Sequence, residues 1–146
     1  MIDTKTLAIG FNAISKKMSE KRMYLISLDQ QTGDGDLGIS MDNGFKAVSD
    51  VCCVNANTSD IGKLLFLAGK SFNEAAPSSL GTIISMLLID AAKQLKGAEK
   101  TALADFGNIM HKSMNAIMEK LDSRLGEKTF FDSVVPAVKA LCDEAA

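Results

Sequence analysis

Apolar residues recur every three or four positions along almost the whole of this 146-residue chain, a period that belongs to amphipathic helices. Leu7, Phe11, Ile14, Met18, Leu25 and Leu28 step by three, four or seven and define one long first helix. Met41, Phe45, Val48 and Cys52 mark a second. Ser59 or Asp60 is placed to cap a third, whose apolar face is Ile61, Leu64, Leu65, Ala68 and Phe72. Pro77 and the Ser78-Ser79 pair separate it from a fourth, carrying Ile83, Ile84, Leu87, Leu88, Ala91 and Leu95. After a "KGAEK" turn, Thr101 is expected to cap a fifth helix with Leu103, Phe106, Met110, Met114, Ile117 and Leu121. The last segment opens at Thr129, where T-x-x-D to Asp132 is a variant of the capping box. Pro136 lies inside it and cannot donate to the carbonyl of Asp132, so this helix is expected either to start late or to kink. No stretch alternates as a strand would, and no repeat is visible. The expectation is an all-α class: about six antiparallel amphipathic helices forming a barrel or bundle, in a single domain over 1–146.

Charge narrows the function classes. The net charge is −2 and no basic stripe appears, which argues against nucleic acid as the main partner. Lys16-Lys17 and Lys21-Arg22 read as a solvated helix face. Met1 to Phe11 carries Asp3 and Lys5, so no secretory leader is visible, and the most apolar run, Leu80 to Ile89, is too short to span a bilayer. Cys52, Cys53 and Cys142 form no CxxC pair, and an odd count suits reduced thiols in the cytoplasm. As single residues they read as small buried apolar side chains.

One stretch breaks the helical pattern. "LDQQTGDGDLGISM", Leu28 to Met41, crowds Asp29, Asp34 and Asp36 around Gly33, Gly35 and Gly38. Two unit charges ~4 Å apart cost about 4 kcal/mol at an effective dielectric near 20, so three carboxylates call for a cation. With no His or Cys nearby, these hard oxygens suit Mg²⁺ or Ca²⁺ rather than zinc. An EF-hand counted from Asp34 fails, because its glycine position is Ile39 and its glutamate position is Phe45. Mg²⁺ remains, typically shared between a few carboxylates and substrate phosphates. The alternative is a glycine-rich turn whose Asp side chains bond local N–H groups.

Two further segments are polar helix starts. In "NEAAPSSLGTIIS", Asn73 to Ser85, the residues Ser78, Ser79, Gly81 and Thr82 open a helix whose free N–H groups and dipole attract phosphate. "GEKTFFD", Gly126 to Asp132, is the other; capping alone would account for either. His111 is the single histidine, sits mid-helix with no G-x-S-x-G in the chain, and reads as a solvated or boundary residue.

In this order and in a helical frame, "LDQQTGDGDLGISM", "PSSLGT" and "GEKTFFDSVVPAV" resemble the L subunit, or nucleotide-binding domain, of dihydroxyacetone kinases. The resemblance spans Tyr24 to about Leu141, and the spacing D-x4-D-G-D with a following G-x-x-M is its most specific part. It implies an antiparallel helical barrel with a nucleotide, ADP or ATP, at one end. Asp29, Asp34 and Asp36 would hold two Mg²⁺ ions bridging the phosphates. Leu37, Gly38 and Ser40 would lie against the nucleotide, Ser78, Ser79, Gly81 and Thr82 would contact phosphate, and Thr129 and Phe130 would wall the adenine side. A separate K-type subunit would bind the ketose, and the phosphoryl donor would be ATP or a phosphohistidine carrier protein that recharges ADP in place.

Three departures stand out. Leu37 occupies a position where the family often has histidine, and Leu80 stands before Gly81 where it usually has serine. The G-R-A-S-Y-L-G-E-R-S-like and D-P-G-A segments of the family are missing, so the domain is expected to be C-terminally incomplete. The resulting expectation is a cytoplasmic Mg-nucleotide phosphotransferase component acting with a K-type partner on dihydroxyacetone or a related small ketose. The alternatives are a non-catalytic nucleotide-binding or regulatory module of the same fold and a purely structural helical bundle.

Overall fold

A computed structural model describes residues 1–145 of the chain. Six helices account for nearly all of it: α1 (Thr4–Asp29), α2 (Leu37–Val54), α3 (Ile61–Ala75), α4 (Ser79–Gln94), α5 (Leu103–Lys120) and α6 (Phe130–Ala145). Two-residue strands β1 (Ile2–Asp3) and β2 (Lys100–Thr101) form one antiparallel bridge, with Ile2 opposite Thr101 and Asp3 opposite Lys100. The class is all-α. No helix among the described residues is long and apolar enough to cross a membrane.

The helix starts follow side-chain capping. Asp3 caps α1, accepting the Thr6 N–H and the Thr6 hydroxyl at 2.8 Å each, and these bonds hold its carboxyl below the ordinary value. Of the two candidates for α3, Asp60 is the cap, accepting from Lys63 N–H at 2.9 Å and from Gly97 N–H at 3.1 Å. One carboxylate thereby ties the start of α3 to the turn after α4. Ser78 caps α4 through the Gly81 N–H at 3.0 Å. The capping box of α6 closes both ways: Thr129 N–H donates to Asp132 Oδ2 at 2.9 Å, and Phe131 N–H donates to Thr129 Oγ1 at 3.3 Å.

Several sequence expectations are corrected. Thr101 does not cap α5; the cap position is Ala102, and Thr101 is buried in the bridge with β1, its hydroxyl donating to the Ala102 carbonyl at 3.4 Å. A two-residue ladder has too little length to show alternation, so its pairing outcompeted a plausible cap unseen. The second helix begins at Leu37, earlier than its apolar stripe, so Leu37, Gly38 and Ser40 belong to its first turn rather than to the loop. α6 starts at Phe130 and runs through Pro136, which excludes a late start. Cys53 is exposed, unlike buried Cys52, because neighbouring helical positions face different sides.

Consecutive helices pack side by side, α1 on α2, α2 on α3, and so on to α5 on α6. The centre is α2–α3–α4, where Val48, Cys52, Ile61, Leu64, Leu65, Ala68 and Phe72 are fully buried. Gly44 lets α2 meet the Phe72 ring, since a Cβ there would overlap it, and Phe45 sits edge-on to that ring at 5.0 Å between centroids. A second cluster of Leu87, Met114, Ile117, Phe131 and Val138 fastens α5 and α6 to α4. α1 is fastened to α2 over its length: Gly38 brings the α2 backbone against the Arg22 carbonyl, and Asp42 accepts from Arg22 Nη1 at 3.2 Å and from the Ser19 hydroxyl. α1 and α6 share no extensive packing among the described residues, which leaves the array of helices open along one seam.

Candidate functional site

The acidic loop is built on the frayed end of α1. The Asp29 carbonyl accepts from both Thr32 N–H at 3.1 Å and Gly33 N–H at 2.6 Å, which turns the chain back sharply. A Cβ on Gly33 would collide with the Asp29 carboxylate, and Gly35 has φ +84°, so both glycines are required by the turn. The turn delivers Asp36 and Leu37 beside the end of α1. There Leu37 N–H donates to Asp29 Oδ2 at 3.2 Å, and Asp36 N–H donates to Asp34 Oδ1 at 3.3 Å.

Asp29, Asp34 and Asp36 each offer a carboxylate oxygen within 4.8 Å of the others'. No lysine or arginine pairs with any of them among the described residues. Partial desolvation, then the Asp34 and Asp29 carboxylates, push the Asp36 carboxyl above its ordinary value. The aspartates therefore do two things at once. Asp29 and Asp34 each give one oxygen to a backbone N–H, as a turn-former would, and the three still converge with their charge uncompensated by protein.

Across from them stands the start of α4. One polar cavity of about 350 Å³ is lined by Asp29, Asp34, Asp36, Leu37, Ser40, Ser78, Ser79 and Leu80. Ser78 spends its Oγ on the Gly81 N–H and its carbonyl on the Thr82 N–H at 2.9 Å. The N–H groups of Ser79 and Leu80 precede any intrahelical acceptor and have no partner among the described residues. A carboxylate triad thus faces a helix N-terminus with free donors: cation ligands on one wall and anion ligands on the other.

The remaining sequence candidates fall outside this cavity. Gly38 is buried against α1, and Gly81 is buried where a Cβ would strike the Ala76 carbonyl, so both set backbone approach. Thr82 is exposed and turns back to Asn73 Oδ1 at 3.4 Å and to the Ser78 carbonyl at 3.0 Å. Thr129 is exposed at the cap of α6. Phe130 lines a second, apolar cavity of about 640 Å³ that opens at the α1–α6 seam and is walled by Leu25, Leu37, Met41, Leu80 and Ile83. Leu80, singled out in the sequence only as a departure, lines both cavities, as Leu37 does. Its place in the first turn after Ser78-Ser79 was the available signal. His111 is exposed on α5 and lines neither cavity.

A family model described as the DAK2 domain matches residues 31–146. The chain belongs to the DAK2 domain family. The match takes in Asp34, Asp36, Ser78 and Phe130, while Asp29 lies just ahead of it. Among curated proteins, this DAK2 chain is 26% identical over 123 residues to the PEP-dependent dihydroxyacetone kinase, ADP-binding subunit DhaL, of Escherichia coli (strain K12), covering 84% of this chain and 58% of that protein. It is 25% identical over 125 residues to the ADP-binding subunit DhaL of PEP-dependent dihydroxyacetone kinase 2 of Listeria innocua, covering 85% and 58%. A probable dihydroxyacetone kinase of Dictyostelium discoideum is 26% identical over 142 residues, covering 91% of this chain and 21% of that one. The DAK2 chain therefore spans a little over half the length of the bacterial relatives.

Proposed function

We propose that this DAK2-family chain is the nucleotide-binding component of a dihydroxyacetone kinase system. In this reading it holds ADP or ATP with Mg²⁺ and takes part in phosphoryl transfer to dihydroxyacetone, or a related small ketose, on a separate K-type subunit. The observation that carries the reading is the polar cavity, with three unpaired carboxylates facing the free N–H groups of Ser79 and Leu80. A nucleotide polyphosphate with its cation is a ligand that satisfies both walls together.

The donor set fits the metal: three hard oxygens within 4.8 Å, no soft ligand, and an Asp36 carboxyl whose upward shift a cation among the three would oppose. Asp29, Asp34 and Asp36 would hold it. Magnesium would supply charge neutralisation on the transferring phosphates, where positioning and electrostatics carry most of the chemistry. The chain's own part is to bind and orient. Asp29 is fixed by the Leu37 N–H and Asp34 by the Asp36 N–H, so two ligands are preorganised before any cation arrives. The helix start at Ser78–Leu80 offers donors to phosphate oxygens, with Ser40 and Ser79 hydroxyls beside it.

In this reading the three aspartates and three serines that line the cavity are engaged with cation and phosphate, and none is assigned to the ketose. The substrate-side chemistry accordingly belongs to the partner. The bacterial relatives, ADP-binding subunits of PEP-dependent dihydroxyacetone kinases, support ADP as the resident nucleotide and a phosphohistidine carrier as donor. The three free thiols suit a cytoplasmic setting. The test is reconstitution: dihydroxyacetone phosphate is measured with the chain alone, with a K-type subunit, and with K-type subunit plus either ATP or a phosphorylated carrier. Product only in the presence of the K-type subunit is expected. Product from the chain alone overturns the division of labour, and ADP binding without product in any mixture favours a non-catalytic nucleotide-binding module.

A further inference from the structure

Gly62 and Gly69 let α4 lie close on α3: a Cβ on Gly62 would strike the Ala92 carbonyl and the Lys96 backbone, and one on Gly69 would strike Ile89 and the Ser85 carbonyl. Beside this close approach the two helices leave a groove of about 390 Å³, with Ile89 and Ala92 along it and Lys63, Lys93 and Lys96 exposed around it. Phe66 also lines it and is 50% exposed, the one large apolar side chain of α3 or α4 so open to solvent. Among the described residues none of the three lysines pairs with a carboxylate. The single acid of the lining, Asp60, is engaged with the Lys63 and Gly97 N–H groups. In a chain of net charge −2 this is a local cationic surface with an apolar floor. We infer that the groove docks an acidic amphipathic helix of a partner protein. One large apolar side chain of that helix enters against Phe66, Ile89 and Ala92, and carboxylates a turn to either side meet the three lysines.

The placement of the charges carries this. Lys93 stands in the last turn of α4, where the helix dipole favours a cation, and the fold alone accounts for it. Lys63 stands in the first turn of α3, where the dipole disfavours one. A charge set against its own helix marks a place where something other than folding is served. Lysine stems extend the apolar wall while their ammonium groups stay in water, so the same side chains supply both carbon and charge to a partner. An apolar floor ringed by like charge is matched by a helix of opposite charge, whose anchor is buried and whose acids neutralise the rim. The groove is concave, which suits a helix better than the flat face of an anionic bilayer. It lies roughly 14–20 Å further along α4 than Leu80, at ~1.5 Å per residue, so a docked helix leaves the polar cavity open and the inference does not depend on the nucleotide reading.

The experiment is selection of a displayed random-peptide library on the full chain, with peptides that also bind Lys63→Glu removed. The most enriched peptide is then synthesised with a fluorescent label and titrated by anisotropy against wild type, Lys63→Glu and Phe66→Ser. Sequences with one large apolar residue flanked by Asp or Glu at helical spacing are expected. Either variant should bind the peptide at least ~10-fold more weakly, and added salt should weaken it further. Lys63→Glu should melt no lower than wild type, since an acid in the first turn suits the dipole, and so keeps the test open if Phe66→Ser does not fold. A lower melting temperature in Lys63→Glu overturns the inference, because the lysine then serves the fold. No Lys63-dependent peptide, or enriched peptides without acids, overturns it. Displacement of the peptide by ADP with Mg²⁺ overturns it by placing the peptide in the polar cavity. Sedimentation with phosphatidylserine vesicles that is lost in Lys63→Glu, with no peptide enriched, overturns it in favour of a membrane surface.

Discussion

The centre of the molecule and the far half of α1 carry the same apolar period and use it differently. In α3, Ile61, Leu64, Leu65, Ala68 and Phe72 are fully buried between α2 and α4. In α1 the early residues Leu7, Ala8 and Phe11 are buried, but Met23 and Tyr24 are 72% and 60% exposed, and Leu28 is exposed beside the acidic loop. The difference lies in the number of neighbours. α3 is packed on both sides, whereas the later half of α1 leans on α2 alone and faces the apolar cavity on the other side. Period reports which face of a helix is apolar; it does not report whether anything comes to cover it. The packed centre holds the frame, and the candidate site is assembled where packing stops, at the end of α1 and the start of α4.

The sharpest way to break this comparison is to truncate one large side chain in each region. Phe72→Ala empties a fully buried site touching Gly44 and Phe45, and should cost about 3–5 kcal/mol in urea unfolding. Tyr24→Ala, mostly solvated, should stay within ~0.5 kcal/mol. Equal losses at the two positions would mean that the seam is covered in solution.

A smaller effect is expected at the cap that joins α3 to the turn after α4. Asp60→Ala removes an acceptor from both Lys63 N–H and Gly97 N–H and should cost about 1–2 kcal/mol, read as a lower urea midpoint.

The acidic loop should differ from this cap in sign. The Lys63 N–H, ahead of the Gly97 N–H, holds the Asp60 carboxyl below its ordinary value. Its contribution is therefore present above the unfolded-state value and is lost as pH falls through the folded one. Asp36 is raised by desolvation and then by Asp34 and Asp29, so its native state binds the proton more tightly than the unfolded chain. Without metal, its contribution grows as pH falls through the raised value and shrinks as pH rises. Asp36→Asn should accordingly leave the metal-free fold as stable as before or slightly more so, with a flatter pH dependence above the ordinary carboxylate value. A clear loss of stability in Asp36→Asn would mark it as a structural turn residue.

The helices were legible because each stripe is long enough to show its period, and the capping residues Asp60, Ser78 and Thr129 stand at real starts. Thr101 misled for a local reason: a threonine before an apolar helix looks like a cap, while the two-residue bridge that buries it leaves no trace in the sequence. Asp29, Asp34 and Asp36 stood out because repelling charges in a glycine-rich loop are costly, and the structure brings their oxygens together. Gly38, Gly81 and Thr82 lie in the same stretches but serve backbone approach or local bonding, a distinction that only helix packing makes. Of the apolar cavity, Leu37, Leu80 and Phe130 were singled out in the sequence, but that they share one space was not legible. The cavity arises from the open seam between the first and last helices, which are far apart in sequence.

The central claim is that the three aspartates form a cation-dependent nucleotide site, and its most direct test is thermal melting of the chain with Mg²⁺, with ADP, and with both. At ~100-fold excess over the dissociation constant, the pair should stabilise the fold by about 2.7 kcal/mol. Neither component alone should match that, and Asp34→Asn should abolish the gain. Identical melting under all conditions, or a gain that survives in Asp34→Asn, would contradict the account.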